Sequence, residues 1–145
     1  MGQKVNPIGL RVGISKTWNS KWYAGKDYPE QLKQDLSIQK FVKKRLKHAA
    51  ISHIEVERTA KKTKVNIFTA RPGIIIGRKG DEVERLKHEL NKLTRHEVIV
   101  NIKEIKRPEI EATLVAENIA NQLERRIAYR RAIRRAMTSA MRMNI

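Results

Sequence analysis

The sequence predicts an α+β domain followed by basic α-helices. Stretches with helical periodicity alternate with stretches in which every second residue is apolar. A charged glycine turn, "GRKG", joins a short apolar run to an amphipathic stretch, and arginines recur over residues 123–143. The predicted order of elements is helix, strand, strand, short helix, glycine turn, helix and strand, so the domain has three strands.

Composition points to a polyanionic partner. The 145 residues include 32 Lys and Arg against 15 Asp and Glu, for a net charge of +17. Such a surplus repels itself in the compact state and favours nucleic acid. The chain has no cysteine, which excludes disulfides, thiolate metal sites and a cysteine nucleophile. No apolar run reaches the roughly 18 residues of a membrane span, so no membrane partner is expected.

Residues 1–28 are predicted to form a basic arm. Three of the seven glycines precede residue 14, and aromatic residues follow them. These rings have two interpretations: they cover the edge of the core, or they stack on bases. The aromatic residues are Trp18, Trp22, Tyr23 and Tyr28.

The first helix of the domain is predicted to begin at Pro29 and Glu30. Its apolar stripe comprises Leu32, Leu36, Val42, Leu46 and Ala49, and its opposite face carries Lys40, Lys43, Lys44 and Lys47. The helix after the glycine turn is predicted to continue through about Arg95. One side of it carries Val83, Leu86, Leu90 and Leu93.

The three strands are predicted at residues 51–60, 64–70 and 97–105. In each, apolar residues alternate with polar ones, as in a sheet with one buried face. The residues predicted to point inward are Ile54, Val56, Val65, Ile67, Thr69, Val98, Val100 and Ile102.

The glycine turn comprises Gly77, Arg78, Lys79 and Gly80. Glycines permit positive φ and close approach of a ligand backbone, and a helix N-terminus favours anions. The turn is therefore predicted to bind a nucleic-acid backbone. The alternative is an ordinary connection between two helices with a glycine cap. The spacing matches neither a phosphate-binding P-loop nor a dinucleotide fingerprint.

This turn, with strands flanking its two helices, resembles a KH domain, whose G-x-x-G loop clamps about four nucleotides of single-stranded nucleic acid. The extra helix and strand over residues 30–59 resemble the type II arrangement. The resemblance implies a KH type II domain over residues 29–106, with helices on one face of the three-stranded sheet.

The segment "RRIAYRRAIRRAM" holds six arginines in thirteen residues. On a helix one face carries Arg130, Arg131, Arg134, Arg135 and Arg142, whereas Ile133, Met137 and Met141 lie on the apolar side. Another helix precedes this segment, and Pro108 suits its first turn. A bend between the two helices is predicted near Ala128. Guanidinium groups match phosphate oxygens, so an RNA face is expected. A basic amphipathic helix on an anionic membrane is the alternative. The predicted RNA-binding residues are Arg126, Arg130, Arg131, Arg134, Arg135 and Arg142.

No catalytic or metal-binding constellation is visible. The four histidines have no ligand spacing, and no carboxylate pair or nucleophile with its base occurs. We therefore expect no enzymatic activity, cofactor, metal or small-molecule substrate. The histidines are His48, His53, His88 and His96.

The stretches "MGQKVNPIGLRVGI", "ARPGIIIGRKGDEVERL" and "QLERRIAYRRAIRRAM" resemble the bacterial type of small ribosomal subunit protein three, over essentially all 145 residues. The resemblance implies a cytoplasmic, structural constituent of the small-subunit head, bound to 16S-type ribosomal RNA and to neighbouring head proteins. It places Arg130, Arg131, Arg134 and Arg135 by the channel through which messenger RNA enters. RNA contacts are also expected from the arm, at Gln3, Lys4 and Arg11.

The family carries a further C-terminal α/β domain, so residues 107–145 are expected to form the incomplete start of that domain. A different function remains open from the residues alone. A free-standing KH-domain RNA regulator, or a ribosome assembly factor, would use the glycine turn in the same way.

Overall fold

A computed structural model describes residues 2–59, 62–94 and 96–143, and the side chain of Lys79 lies outside the described part. The other residues outside the described part are Met1, Ala60, Lys61, Arg95, Asn144 and Ile145. The predicted ends of the first strand and of the helix after the glycine turn therefore lie outside it. The elements in chain order are α1 (Pro7–Arg11), β1 (Ser20–Lys21), α2 (Tyr28–Arg45), β2 (Ile51–Arg58), β3 (Lys62–Thr69), α3 (Pro72–Ile76), a 3₁₀ turn (Arg78–Gly80), α4 (Asp81–Thr94), β4 (Glu97–Glu104), α5 (Ala112–Glu124) and α6 (Tyr129–Arg142).

The sheet has the order β1-β2-β3-β4. Strands β2 and β3 are antiparallel, whereas β3 and β4 run parallel and β1 runs parallel to β2. The three predicted strands are all present. The prediction of three strands is corrected by β1, two residues of the arm that cover the edge of β2. Backbone groups at an open edge need partners, and the Asn19 carbonyl accepts from the Val56 N–H at 2.7 Å.

One face of the sheet forms the core. The register pairs Ile54 with Ile67, Val56 with Val65, and Val65 with Val100, so the alternating apolar residues share one side. Helices α2, α3 and α4 cover that side together, which confirms the predicted layering. The core cluster that joins helices and strands contains Ile38, Val42, Ile54, Val65, Ile67, Ile75, Leu86, Leu90 and Val98.

Helix α2 is rotated relative to the predicted stripe. Its buried residues are Asp35, Ile38 and Val42, whereas Leu36 is 49% exposed. The apolar pattern missed this rotation because a buried carboxylate, and not a leucine, occupies the inward position of the second turn.

Asp35 docks the arm onto the domain. Its carboxylate is fully buried and accepts hydrogen bonds from Ser20 Oγ at 2.7 Å and Trp22 Nε1 at 2.6 Å. Arg58 of β2 donates to the same carboxylate through Nε at 2.9 Å and Nη2 at 2.5 Å. Of the aromatic residues of the arm, Trp22 therefore covers the edge of the core, whereas Tyr23 is 96% exposed.

The two C-terminal helices are separated where the sequence predicted a bend. Arg126 has φ +61°, and Ala128 immediately precedes α6 with an extended backbone. The predicted start at Pro108 is wrong, since α5 begins at Ala112. Turn hydrogen bonds precede it, and Ser52 of β2 donates to Glu111 at 2.8 Å. That hydrogen bond holds the segment before α5 against β2.

Candidate nucleic-acid interface

The glycine loop connects α3 to α4 through the 3₁₀ turn. Helix α3 ends at Ile76 and is capped by Gly77, which has φ +68° and ψ −169°, and Gly80 has φ +87°. Both values lie in the region that favours glycine. The loop therefore requires its two glycines for backbone reasons before any ligand is considered.

The surroundings of the two glycines differ. A Cβ atom at Gly77 would lie 2.8 Å from Glu82 Cγ and 2.9 Å from Glu82 Cβ, so this glycine packs on α4. A Cβ atom at Gly80 would meet nothing within 4 Å. Gly80 thus presents bare backbone to open space, as a site for the backbone of another molecule requires.

The charges at the loop are arranged around Glu82. Helix α4 begins with Asp81, Glu82 and Glu84, which complement the positive end of its dipole. The Glu82 carboxylate lies 3.5 Å from Arg45 of α2 and 3.4 Å from Arg85. This carboxylate is thus paired with two guanidinium groups, and Arg78 is exposed and forms no ion pair among the described residues. Lys79 contributes its backbone to the turn.

An apolar surface adjoins the loop. Ile75 is buried, whereas its neighbours Ile74 and Ile76 are 47% and 43% exposed. Helix α3 contacts β4, the strand at the sheet edge remote from the arm, where Val100 and Ile102 are partly buried. Apolar side chains beside a cationic loop are suited to bases whose phosphates lie on the loop.

Five of the six predicted arginines of the C-terminal cluster lie on α6, and all five are exposed. The guanidinium of Arg130 lies 5.7 Å from the ring centroid of Tyr129, and its Nε donates to the Tyr129 hydroxyl at 3.1 Å. Arg126 is also exposed but lies in the turn before α6, so it does not belong to the helical face as predicted. The positive φ at Arg126 ends α5 and changes the direction of the chain. The five on the helix are Arg130, Arg131, Arg134, Arg135 and Arg142.

The apolar side of α6 is divided. Ala132 is fully buried, and α6 packs against α5. Ile133, Met137 and Met141 remain 43%, 63% and 69% exposed. The packing against α5 therefore uses the small residues of α6 and leaves the larger apolar side chains at the surface.

The predicted residues of the arm lie apart from the loop. Gln3 and Lys4 are exposed and precede α1, outside any helix or strand, and Arg11 ends α1, where its Nη1 donates to the Pro7 carbonyl at 2.9 Å. Asn6 caps α1 by accepting from the N–H groups of Ile8 and Gly9 at 2.9 and 3.3 Å. The arm joins the sheet at β1, and β4 forms the opposite edge. The structure therefore does not gather the loop and the arm at the same sheet edge.

Sequence reasoning missed the residues that support the loop. Arg45 and Glu82 are distant in sequence and carry no motif, so only the packing of α2 against α4 brings them together. The available signal was weak: an acidic residue two positions after Gly80, in a first turn where acids are common for dipole reasons alone.

The face of the sheet opposite the core carries a polar ladder, in which Asn66 is buried. Asn101 donates to Asn66 at 3.0 Å, and Asn66 donates to Glu57 at 2.8 Å. His53 stacks on Phe68 with ring centroids 4.1 Å apart. Burial lowers the pKa of His53, against an opposing effect of Glu55 and Glu111. These groups satisfy one another, and we assign them no ligand.

Over residues 2–59, 62–94 and 96–143, no set of three His, Cys, Asp or Glu side chains could hold a metal ion. In the same part of the chain, no helix has the length and apolar character needed to cross a membrane.

Comparison with known proteins identifies the family. The KH domain family matches residues 37–110. Small ribosomal subunit protein uS3 of Geobacter sp. (strain M21) is 62% identical over 142 residues, which cover 98% of this chain and 67% of that protein. The proteins of the same name from Geotalea uraniireducens (strain Rf4) and Syntrophus aciditrophicus (strain SB) are 62% and 59% identical over 98% of this chain, and over 68% and 66% of their own lengths.

These matches agree with the fold. A helix and a strand precede the β-α-α-β unit that holds the glycine loop, which is the KH type II arrangement. The relatives are named as proteins of the small ribosomal subunit. On the identity and coverage of these matches, this chain belongs to the family of small ribosomal subunit protein uS3.

Proposed function

We propose that this chain is a structural constituent of the small-subunit head in the cytoplasm and binds 16S-type ribosomal RNA there. The observation that carries the proposal is the glycine loop: exposed Arg78 lies between two glycines of positive φ, and Gly80 faces open space. Membership of the uS3 family supports a place in the small ribosomal subunit, since the relatives are named as small-subunit proteins.

The loop would hold the RNA backbone without reading sequence. Phosphate oxygens would approach over Gly80, where no side chain intervenes, and Arg78 would donate a bidentate pair of hydrogen bonds. The exposed Ile74 and Ile76 offer an apolar surface for the adjoining bases. Lys79 adds the second cation of the loop.

Helix α6 is proposed as a second RNA surface, beside the channel through which messenger RNA enters. Its arginines would contact phosphates, and each contact would release counterions. Arg126, in the preceding turn, would add to the same surface. Gln3, Lys4 and Arg11 of the arm would contact ribosomal RNA at a third place, and neighbouring head proteins would pack beside these surfaces.

The loop is tested by reversing its charge. Arg78→Asp with Lys79→Asp removes two phosphate contacts, so the affinity for an unstructured RNA of about 12 nucleotides should fall at least tenfold. The slope of log K against log salt should lose about 1.4, since each contact in a single strand contributes about 0.7. Fluorescence anisotropy over a salt series measures both quantities.

The matched control is Lys92→Asp with Lys106→Asp, which changes the net charge equally at exposed positions outside the loop. Its affinity should fall by much less than that of the loop variant. Equal affinities of the two variants, both with native circular dichroism, would contradict a role of the loop in RNA binding.

A further inference from the structure

A line of lysines runs along the outer side of α2. Lys33, Lys40, Lys43 and Lys44 lie within about 100° of one another around the helix axis. The buried Ile38 and Val42 lie on the opposite side. These four lysines, here called the lysine face, therefore point away from the sheet.

The charges of the lysine face are not compensated within the chain. All four side chains are exposed. Among the described residues, none of the four takes part in an ion pair, whereas Lys21 pairs with Glu55 at 2.9 Å. Four ammonium groups over about 16 Å of helix repel one another, so an anion that spans them would relieve that repulsion.

The lysine face ends near the glycine loop. Arg45, the last residue of α2, lies 3.5 Å from Glu82 and 3.6 Å from Glu89 of α4. Glu82 is in the first turn of α4, directly after the loop. The C-terminal end of the lysine face is thus adjacent to the helix that the loop precedes, and Lys47 follows it as a further exposed cation.

The chemistry of this face fits a phosphate backbone better than bases. Lysines are compact point charges without the fork that reads base edges or stacks on rings. Phe41 packs against the core, whereas the half-exposed Tyr28 lines a groove with Lys33 and Lys40. A ring on which a base could stack therefore lies at the N-terminal end of the lysine face, and the part around Lys43 and Lys44 offers charge alone. Recognition through contacts to phosphates and 2′-hydroxyls, and not through stacked bases, is typical of double-stranded RNA.

We propose that the lysine face binds the backbone of an RNA duplex that continues from the single strand at the glycine loop. This inference rests on the RNA-binding function proposed above and adds a separate surface to it. Leu36, which is 49% exposed between Lys33 and Lys40, lies against the duplex edge without reading sequence.

The test is substitution of the four lysines by glutamine, which keeps helix propensity and removes four charges. A duplex of roughly 20 base pairs and an unstructured strand of about 12 nucleotides are the probes. For the duplex, the slope of log K against log salt should fall by about 3, since four contacts at about 0.7–0.9 each are lost. Affinity for the single strand should change less than about threefold.

The matched control carries Lys16→Gln, Lys26→Gln, Lys92→Gln and Lys106→Gln, all exposed and off the lysine face. It should retain most of the duplex slope, and circular dichroism should show native helix content in both variants. Equal losses in the two variants would mean that net charge alone matters and would overturn the proposal, as would an unchanged slope.

Two further outcomes separate this inference from the proposed function. If the natural chain binds the single strand but no duplex, the lysine face is not an RNA site and the proposed function stands. If the chain binds neither RNA, both fail. Loss of binding to polyglutamate with duplex binding retained would assign the face to an acidic protein and overturn the proposal.

Discussion

At the scale of single residues, the glycine loop contains two glycines that are needed for different reasons. Gly77 combines a backbone conformation open almost only to glycine with direct packing on Glu82. Gly80 has positive φ but an unobstructed outer side. Gly77 is thus a folding requirement, whereas Gly80 also keeps the approach to the backbone clear.

Substitution of each glycine by alanine should separate these roles. Gly80→Ala should destabilise by about 1–2 kcal/mol, the cost of a left-handed residue with a Cβ. Gly77→Ala should cost at least about 1 kcal/mol more, because the new methyl group overlaps Glu82. Urea denaturation measures both. Only Gly80→Ala should reduce RNA affinity while the fold is retained.

Gly73→Ala is the control for this pair. Its φ is not positive, and a Cβ there meets nothing within 4 Å, so it should be neutral or slightly stabilising. If Gly77→Ala and Gly80→Ala lower the free energy of unfolding equally, the packing of Gly77 on Glu82 does not contribute to stability. The two glycines would then not have the different roles proposed for them.

At the scale of elements, the arm is held on the domain by hydrogen bonds to one carboxylate, that of Asp35. Asp35 joins β1 and the following Trp22 to α2 and to Arg58 of β2. The side chains of Arg58 and Asp35 are 9% and 1% exposed. Buried ion pairs contribute little net stability when intact, but loss of one partner leaves an uncompensated charge.

Asp35→Ala should therefore destabilise the chain by about 3–5 kcal/mol, because Arg58 stays buried without its partner. The arm should also become sensitive to limited proteolysis before Trp22. Glu30→Ala, at an exposed acid in the first turn of the same helix, is the control and should cost at most about 1 kcal/mol, the loss of its interaction with the helix dipole. A loss below about 1 kcal/mol for Asp35→Ala would show that the arm docks by other means.

At the scale of the whole molecule, the net charge of +17 is spread over separate surfaces. The glycine loop lies between α3 and α4, the arginines lie on α6 and in the turn before it, and the lysine face runs along the outside of α2. A chain with this distribution is suited to contact several RNA segments at once, as a structural RNA assembly requires.

Much of this architecture was predictable because it depends on local pattern. The inward residues of all three main strands were right, since alternation at a half-buried sheet fixes the face. The bend near Ala128 was right, because apolar positions on either side of it do not share a helical face. The KH loop was recognisable from its glycines and the helices around it.

The remainder depends on contacts between distant segments. β1 has two residues and exists only because β2 offers an open edge, so no pattern marks it. The rotation of α2 follows from Asp35, whose burial becomes favourable only when Arg58 and Trp22 reach it. The position of Arg126 outside α6 depends on a positive φ that its side chain does not signal.

The most direct test of the account is co-sedimentation with the small ribosomal subunit. The tagged chain would be expressed in bacteria, separated on a sucrose gradient, and the small-subunit fraction washed with high salt. We expect the chain to remain in that fraction after the wash. Recovery only at the top of the gradient, with a folded chain that still binds RNA, would contradict a ribosomal role and favour a free-standing KH regulator.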